Sequence, residues 1–466
     1  MRSSSPRLLD AVLTHPARKK SEPPCGRGGP GYDSHFEGTA LSTPYPDSVR
    51  FLYALGNEHR TIKLGLDRIR TVLAHLGNPH HACRFIHVAG TNGKGSTCAM
   101  IERTLRESGV LTGLYTSPHL VEPVERIRIL GRPVPFADFS RAFDAVHETA
   151  ERLIAAGRID MHPTYFETMT AMAFLLFREF GAEVVVLETG MGGRLDATNV
   201  VDPVLSVITP IDFDHEKFLG NTLAQIAFEK AGIIKPGRPV VSARQHPEAM
   251  RVLERRAAEQ QAPLIRADRW RTSELQLHAF GSRFSVHSPG GVSFPVDQPL
   301  VGAHQVENAL TAIAALDALG YEPARIRRGI AAADWPGRLE LVRRAPDIFL
   351  DGAHNPAGAR ALAGYLRRFH HDRRKWMIFA AMRDKDLHAI GRPLFPLADE
   401  LIFTAPAQTR AFRPEEILEL SGERRARLAP DIRAALGLAA QAAPEDLVIV
   451  TGSLYLVGEA RELLVG

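Results

Sequence analysis

From about residue 50 the chain alternates between two hydrophobic patterns. Short runs that are apolar at almost every position, residues 85–88, 184–188 and 204–209, are separated by longer stretches with apolar residues three and four apart. Runs of the first kind suit strands buried on both faces, and those of the second suit helices covering them. The pattern therefore predicts a three-layer α/β domain around a parallel sheet. A second series of such runs at 348–351, 376–380, 401–404 and 447–451 predicts a smaller, doubly wound, Rossmann-like α/β domain. Between them Trp335-Pro336-Gly337-Arg338 suits a hinge better than an element interior. Residues 273–295 alternate polar and apolar side chains between Gly and Pro breaks, which predicts an antiparallel hairpin appended to the first domain. Residues 1–45 carry neither period and are rich in Ser, Pro, Gly and Arg, so a disordered extension is expected there. The expected organisation is an extension over 1–45, a first domain over 46–337 and a second over 338–466.

Composition narrows the class. With 466 residues, 45% hydrophobic and 24% charged, the chain can build two cores and reads as a soluble globular protein. The net charge of +4 is small, and Lys and Arg are interleaved with Asp and Glu, so no nucleic-acid partner is expected. Cys25, Cys83 and Cys98 have no C-x-x-C spacing, which argues against a disulfide framework or a zinc site and suits a reducing, cytoplasmic setting. The apolar stretch at 171–177 is far shorter than the roughly 18 residues of a membrane span, and no membrane partner is expected.

The first candidate site is the sequence Ala89-Gly90-Thr91-Asn92-Gly93-Lys94-Gly95-Ser96-Thr97, which follows the 85–88 strand and precedes a helix expected over 98–108, closed by Gly109. Strand, glycine loop and helix in that order form a phosphate cradle. Glycines let backbone N–H groups approach phosphate oxygens, the helix N-terminus adds positive potential, and Lys94 can reach the terminal phosphates. Gly95 separates Lys94 from Ser96, so the loop departs from the usual GxxxxGK[ST] spacing. ATP is the expected nucleotide, with Ser96 or Thr97 available to Mg²⁺.

Ligands of open parallel sheets bind beyond the carboxyl ends of the strands. Glu188 closes one apolar run, and Asp212, Asp214 and His215 follow another. A metal bridging ATP phosphates belongs there, with Glu188 as the natural oxygen ligand for Mg²⁺ and His215 the less expected one. In the next helix Leu223, Ile226, Ala227 and Lys230 share one face, Thr222 and Gln225 have capping-box spacing, and Gly232 ends it. Lys230 either snorkels from that apolar face or is buried. A buried lysine has a depressed pKa, and its neutral amine can react with CO₂ to give a carbamate, an anionic oxygen ligand.

Five motifs together resemble the folylpolyglutamate synthase and dihydrofolate synthase family, within the Mur ligase superfamily and of the bacterial bifunctional type. They are Gly90 to Ser96, Thr116-Ser117-Pro118-His119-Leu120, Glu188 through Gly192-Gly193-Arg194-Leu195-Asp196-Ala197-Thr198-Asn199, Asp214-His215 through Glu229-Lys230-Ala231-Gly232-Ile233-Ile234-Lys235, and Asp351-Gly352-Ala353-His354-Asn355-Pro356. They run in the family's order between about residues 50 and 460. The resemblance implies an ATP-dependent ligase that joins L-glutamate to dihydropteroate or to the glutamate tail of a reduced folate through an acyl phosphate. It implies Mg²⁺ on Ser117, Glu188 and His215, a monovalent cation as a further ion, and carbamylation of Lys230. Catalytic roles fall to Lys94, Lys230 and His354. ATP contacts fall to Gly93, Lys94, Gly95, Ser96, Gln305, Arg338 and Asp351, with Asn308 a competing candidate for Gln305. The pterin or folate site falls to Lys63, Leu64 and Gly65, to Thr164, Tyr165, Phe166 and Glu167, and to Leu195, Asp196 and Ala197. There the two aromatic rings offer faces to a flat pterin and the two carboxylates offer acceptors. A monomer acting on small molecules is expected. Two other readings stay open: a Mur-type ligase acting on a cell-wall peptide precursor, and a nucleotide-dependent regulator without ligase chemistry.

Overall fold

The computed structural model describes residues 65–465. The expected extension over 1–45, and with it Lys63 and Leu64, lies outside the described residues.

Eight strands form the first sheet: β1 (Arg84–Ala89), β2 (Thr112–Tyr115), β3 (Ile127–Ile129), β4 (Arg132–Pro133), β5 (Val184–Glu188), β6 (Leu205–Ile208), β7 (Val240–Ser242) and β8 (Leu264–Arg266). Their order is β4-β3-β2-β5-β1-β6-β7-β8, parallel from β2 to β8 with an antiparallel edge made by β3 and β4. The three apolar runs foreseen for this domain are β5, β1 and β6, which lie side by side in the middle. Burial on both faces explains their lack of alternation. Val88 pairs with Glu188 and Ala89 with Ile208, so three carboxyl ends come level at one edge. From β1 the chain crosses to β2 on one side, and from β5 it crosses to β6 on the other, and this reversal opens the crevice in which such sheets bind ligands.

One face of the sheet is covered by α1 (Lys94–Glu107) and α5 (Ala303–Ala318), through Met100, Ile101, Leu105, Ile313 and Leu316. The other is covered by α2 (Phe136–Ala155) and α3 (Tyr165–Glu179), with Phe139, Phe143, Phe174 and Phe177 fully buried. Helix α4 (Leu223–Lys230) packs near the β6–β7 edge.

Two expectations are corrected. The helix after the phosphate loop starts at Lys94, four residues earlier than foreseen, because Gly93 at φ +83° turns the chain straight into it. The predicted hairpin is a three-stranded antiparallel sheet, β9 (Arg271–His278), β10 (Gly281–His287) and β11 (Ser293–Gln298). Pro295 did not end the second strand; it sits, itself exposed, in the edge strand β11, a tolerated position. Phe284, Val286 and Val296 join the core of the first sheet, so the small sheet is indeed attached there.

The third sheet has six strands, β12 (Glu340–Arg343), β13 (Asp347–Leu350), β14 (Lys375–Phe379), β15 (Glu400–Phe403), β16 (Arg427–Leu428) and β17 (Leu447–Thr451), in the order β12-β13-β17-β14-β15-β16. All pairs are parallel except β12 with β13. Cores on both faces confirm a doubly wound layer arrangement. Its helix α6 (Pro356–Phe369) starts at an Asn355 cap whose Oδ1 accepts from the Gly358 N–H at 2.9 Å.

Candidate active site

The carboxyl ends of β1, β5 and β6 face those of the third sheet across a cavity of about 520 Å³, a size typical of small-molecule sites. The phosphate loop forms its floor. Gly93 has no room for a side chain, since a Cβ there would collide with Asn308 Oδ1 of α5, and its left-handed φ suits glycine. Gln305 and Asn308 are both buried beside the loop: Gln305 Nε2 donates to Ser96 Oγ at 3.1 Å, and Asn308 Nδ2 donates to Gln305 Oε1 at 3.0 Å. The two competing candidates therefore act as one chain of hydrogen bonds. Gly95, the residue that breaks the usual spacing, lies against the indole of Trp335, which a Cβ would approach to 2.8 Å. The phosphate loop and the 335–338 segment are thus packed together.

Lys94 Nζ donates to Thr91 O at 3.3 Å and lies 3.9 Å from Glu188 Oε1. Glu188 is buried, and its other oxygen accepts from the Ser117 N–H at 3.3 Å. Burial pushes its carboxyl up to about 7, only partly offset by Lys94. A carboxylate so weakly supported at the end of a central strand is a site that a hard cation would satisfy. Ser117 and His215 line the same cavity, His215 at φ +52° directly after Asp214. The three residues assigned to a metal line one cavity, with Ser117 and Glu188 in contact; two of the three offer the oxygen donors that a hard cation such as Mg²⁺ takes, and His215 is the softer third.

Lys230 does not snorkel. Its side chain is 4% exposed, and Nζ donates to Gly90 O at 2.7 Å inside the cavity wall. Burial, with Lys94 adding repulsion, brings the ammonium down to about 7, so a neutral amine is accessible near physiological pH. The helix keeps the Thr222 cap, whose Oγ1 accepts from the Gln225 N–H at 3.2 Å, but Gly232 does not end it; a 3₁₀ turn over Ala231–Ile233 follows. A side chain on Gly232 would strike Arg194.

The opposite wall comes from the third sheet. Asp351 follows β13 and is locked by the Leu339 and Ala353 N–H groups, each at 3.0 Å. Arg338 is half-buried beside it; the loss of solvent lowers its pKa, while Asp351 and Glu188 oppose that shift. The His354 Nδ1 atom lies 2.8 Å from Gly352 O, which fixes its proton there and leaves Nε2 as an acceptor 4.0 Å from Asp214 Oδ2. Burial brings this imidazole down to about 4, so the ring is neutral. Polar contacts hold the two walls together: Lys385 Nζ reaches Asp214 Oδ1 at 2.6 Å, Asn355 Nδ2 donates to Asn92 Oδ1 at 2.8 Å, and Arg360 lies 3.5 Å from Asp212. Burial disfavours charge on Asp214, but His215 and Lys385 outweigh it and hold the carboxyl well below the usual range.

Sequence comparison agrees with this two-walled arrangement. The Mur ligase middle domain matches residues 88–316, and the Mur ligase glutamate ligase domain matches residues 337–454. The chain is 35% identical over 433 residues to the dihydrofolate synthase/folylpolyglutamate synthase of Bacillus subtilis, covering 91% of this chain and 100% of that protein. It is 36% identical to the folylpolyglutamate synthase of Lacticaseibacillus casei, covering 91% and 99%. The chain belongs to the folylpolyglutamate synthase/dihydrofolate synthase family. Among solved structures, the Mycobacterium tuberculosis folylpolyglutamate synthase complexed with ADP superposes with a TM-score of 0.83 at 34% identity, covering 90% of this chain and 98% of that one. Escherichia coli FolC in complex with DHPP and ADP gives 0.79 at 34% identity, covering 89% and 97%.

In this family member the wall assigned to the pterin is divided. Gly65, Thr164, Phe166, Glu167, Leu195, Asp196 and Ala197 line the cavity. Tyr165 does not: it is 5% exposed, belongs to the core under α3 and stacks beneath the Arg126 guanidinium. As the first residue of the helix its side chain points back into the protein, while Phe166 turns out. Glu167 does more than offer an acceptor. Its Oε2 accepts from the Thr164 N–H at 2.8 Å and from Arg68 Nε at 2.9 Å, completing a capping box, while Oε1 is buried without a hydrogen-bond partner. Asp196 accepts from Met191 N at 2.8 Å, Thr198 N at 3.0 Å and Thr198 Oγ1 at 2.5 Å, so most of its capacity shapes its own loop.

Sequence reasoning missed Lys385 and Arg68, and it held Asn92 and Asn355 only as members of motifs, without their contact. Lys385 was findable: the charged run Arg383-Asp384-Lys385-Asp386 follows the carboxyl end of β14, the same signal used for Glu188 and Asp214. Arg68 carried no such signal, because its partner lies 99 residues away.

Proposed function

We propose that this chain is an ATP-dependent ligase that joins L-glutamate to dihydropteroate, to the glutamate tail of a reduced folate, or to both. Family membership and the facing of a phosphate loop by Arg338, Asp351 and His354 across one cavity support this reading. Residues 46–337 and 338–466 act as two domains that share the site, in a cytoplasmic monomer. Mg²⁺ would be held by Ser117, Glu188 and His215 and would neutralise phosphate charge when bound.

The residues divide the work. Backbone N–H groups from Gly93 to Ser96, held by Gln305 and Asn308, cradle the phosphates, and Asp351 with Arg338 holds the nucleotide from the other side. Phe166 stacks on the pterin, while Gly65, Leu195 and Ala197 shape its slot. A substrate carboxylate oxygen attacks the γ-phosphorus of ATP and ADP leaves. Lys94 and Arg338 stabilise the charge on the transferring group, a task of positioning and electrostatics. The amino group of L-glutamate then attacks the acyl carbon and phosphate departs. The neutral His354 Nε2 accepts from the incoming amine. A carbamate on Lys230 would supply a further anionic oxygen to support the cation when bound. The closed contact between the walls excludes water from the acyl phosphate.

Turnover measured separately with dihydropteroate and with a reduced folate monoglutamate tests this. Phosphate release should require glutamate and at least one of the two acceptors; release unchanged by either addition would favour a nucleotide-dependent regulator instead.

A further inference from the structure

Helix α2 carries His147 and Glu151 one turn apart, and the segment after it brings His162 alongside. One ligand atom from each of the three lies within 4.8 Å of the others. His147 Nδ1 and His162 Nε2 are 3.0 Å apart, and His162 Nδ1 is 3.0 Å from Pro163 O. A carbonyl only accepts, so in the neutral ring the His162 proton sits on Nδ1 and its Nε2 lone pair points at His147. This is the arrangement by which a metal-binding histidine is usually oriented, its far nitrogen held by a backbone carbonyl. His147 is held as well, stacked on the buried Phe143 ring at 5.6 Å between centroids and 9° between planes. The nearby Arg68 is largely neutralised by Glu167 at 2.9 Å and Asp160 at 3.6 Å.

We propose that His147, Glu151 and His162 bind a borderline-soft divalent cation of the Zn²⁺ class, separate from the Mg²⁺ site. Two imidazoles and one carboxylate select such an ion over Mg²⁺, which prefers oxygen donors and keeps its waters. Two nitrogens on a tetrahedral Zn²⁺ stand about 3.3 Å apart, so the pair at 3.0 Å need open only slightly. The proton between the rings moves from His147 Nδ1 to its Nε2, and Nδ1 takes the metal. Glu151 is exposed and His147 and His162 half-buried, which leaves space for a water as the fourth ligand. Cysteine spacing argued against a zinc site, and this one uses no cysteine. His162 is followed by Pro163 and by Thr164, the cap of α3, so a bound cation ties α2 to the cavity wall that carries Phe166 and Glu167.

The test uses the full chain, stripped with a chelator and dialysed against Zn²⁺ in the presence of excess Mg²⁺. Metal content and thermal midpoint are read for the wild type, His147→Gln and His162→Gln. The wild type should retain one more Zn²⁺ per chain than either variant, and Zn²⁺ should raise its thermal midpoint but not theirs. Co²⁺ in place of Zn²⁺ should give a visible absorption band that both variants lose. If His162→Gln does not fold, His147→Gln on the half-exposed helix face decides alone. Equal Zn²⁺ content in the wild type and a folded variant would overturn the proposal, as would displacement of the Zn²⁺ by Mg²⁺. None of these readings depends on ligase turnover.

Discussion

The two walls of the cavity are built on opposite principles. On the first-domain wall, Glu188 and Lys230 are buried with few partners, and both are displaced toward neutrality, the carboxyl up to about 7 and the amine down to about 7. On the other wall Asp351 is locked by two backbone N–H groups, and Lys385 forms a short ion pair across the cleft. The first wall holds charges waiting for a ligand, a cation or a chemical modification. The second, Arg338 apart, holds charges already spent on its own loop or on docking. Chemistry is therefore expected to be most sensitive on the first wall, and assembly of the site on the second.

The largest effect should come from Lys94, to which the proposed mechanism gives the charge of the transferring phosphoryl group. Lys94→Ala should lower kcat by about 10²–10³-fold, the usual cost of one charge-stabilising donor, with the fold intact by circular dichroism. A loss under tenfold would remove Lys94 from the chemistry. Next, Lys230→Ala should lower kcat about a hundredfold, and added short carboxylates should restore part of it. Mass spectrometry of the wild type under native, CO₂-containing conditions should find one added CO₂ that Lys230→Ala lacks. Unchanged activity would reject the carbamate.

A smaller effect is expected from the docking wall. Lys385→Met leaves the half-buried Asp214 without its closest partner and should reduce kcat about tenfold, in line with the 10–100-fold lost when a supporting group of a site is removed. ADP affinity should stay within about twofold, since the loop floor is untouched. If ADP affinity falls as far as kcat, Lys385 belongs to the nucleotide site and the contrast between the walls fails.

A separate effect falls on stability and not on turnover, read in CO₂-free buffer. Lys230 titrates at 10.5 when unfolded and about 7 when folded. Between those values the unfolded chain binds more protons, so the Lys230 contribution to stability rises with pH from about 7 to 10.5 and is flat outside that window. Urea midpoints of Lys230→Met should rise less steeply over this range than those of the wild type. Identical slopes would mean that Lys230 is not buried as an amine.

Much of this was legible in the sequence, for a physical reason. Central strands buried on both faces leave unmistakable apolar runs, and ligand groups sit just beyond their ends, so Glu188, Asp214 and the Gly90 to Ser96 loop stood out. Lys230 was visible because helical period placed a charge among Leu223, Ile226 and Ala227. What period cannot report is a contact between distant segments. Hence Trp335 against Gly95, Lys385 against Asp214 and the pairing of Arg68 with Glu167 emerged only in three dimensions. Tyr165 shows a further limit: adjacent aromatic residues at a helix start look alike in sequence, yet one enters the core and the other the cavity. The 273–295 segment was read as a two-stranded hairpin, but the third strand, β11, was not, because Pro295 looked like a break and the strand runs on to Gln298.

The most direct test of the account follows oxygen from the acceptor carboxylate. With the glutamate-accepting carboxylate of the pteroate or folate substrate labelled with heavy oxygen, each turnover should deliver one labelled oxygen to the inorganic phosphate released, as an acyl phosphate requires. Phosphate released without label, while the amide forms, would contradict carboxylate activation in this cavity.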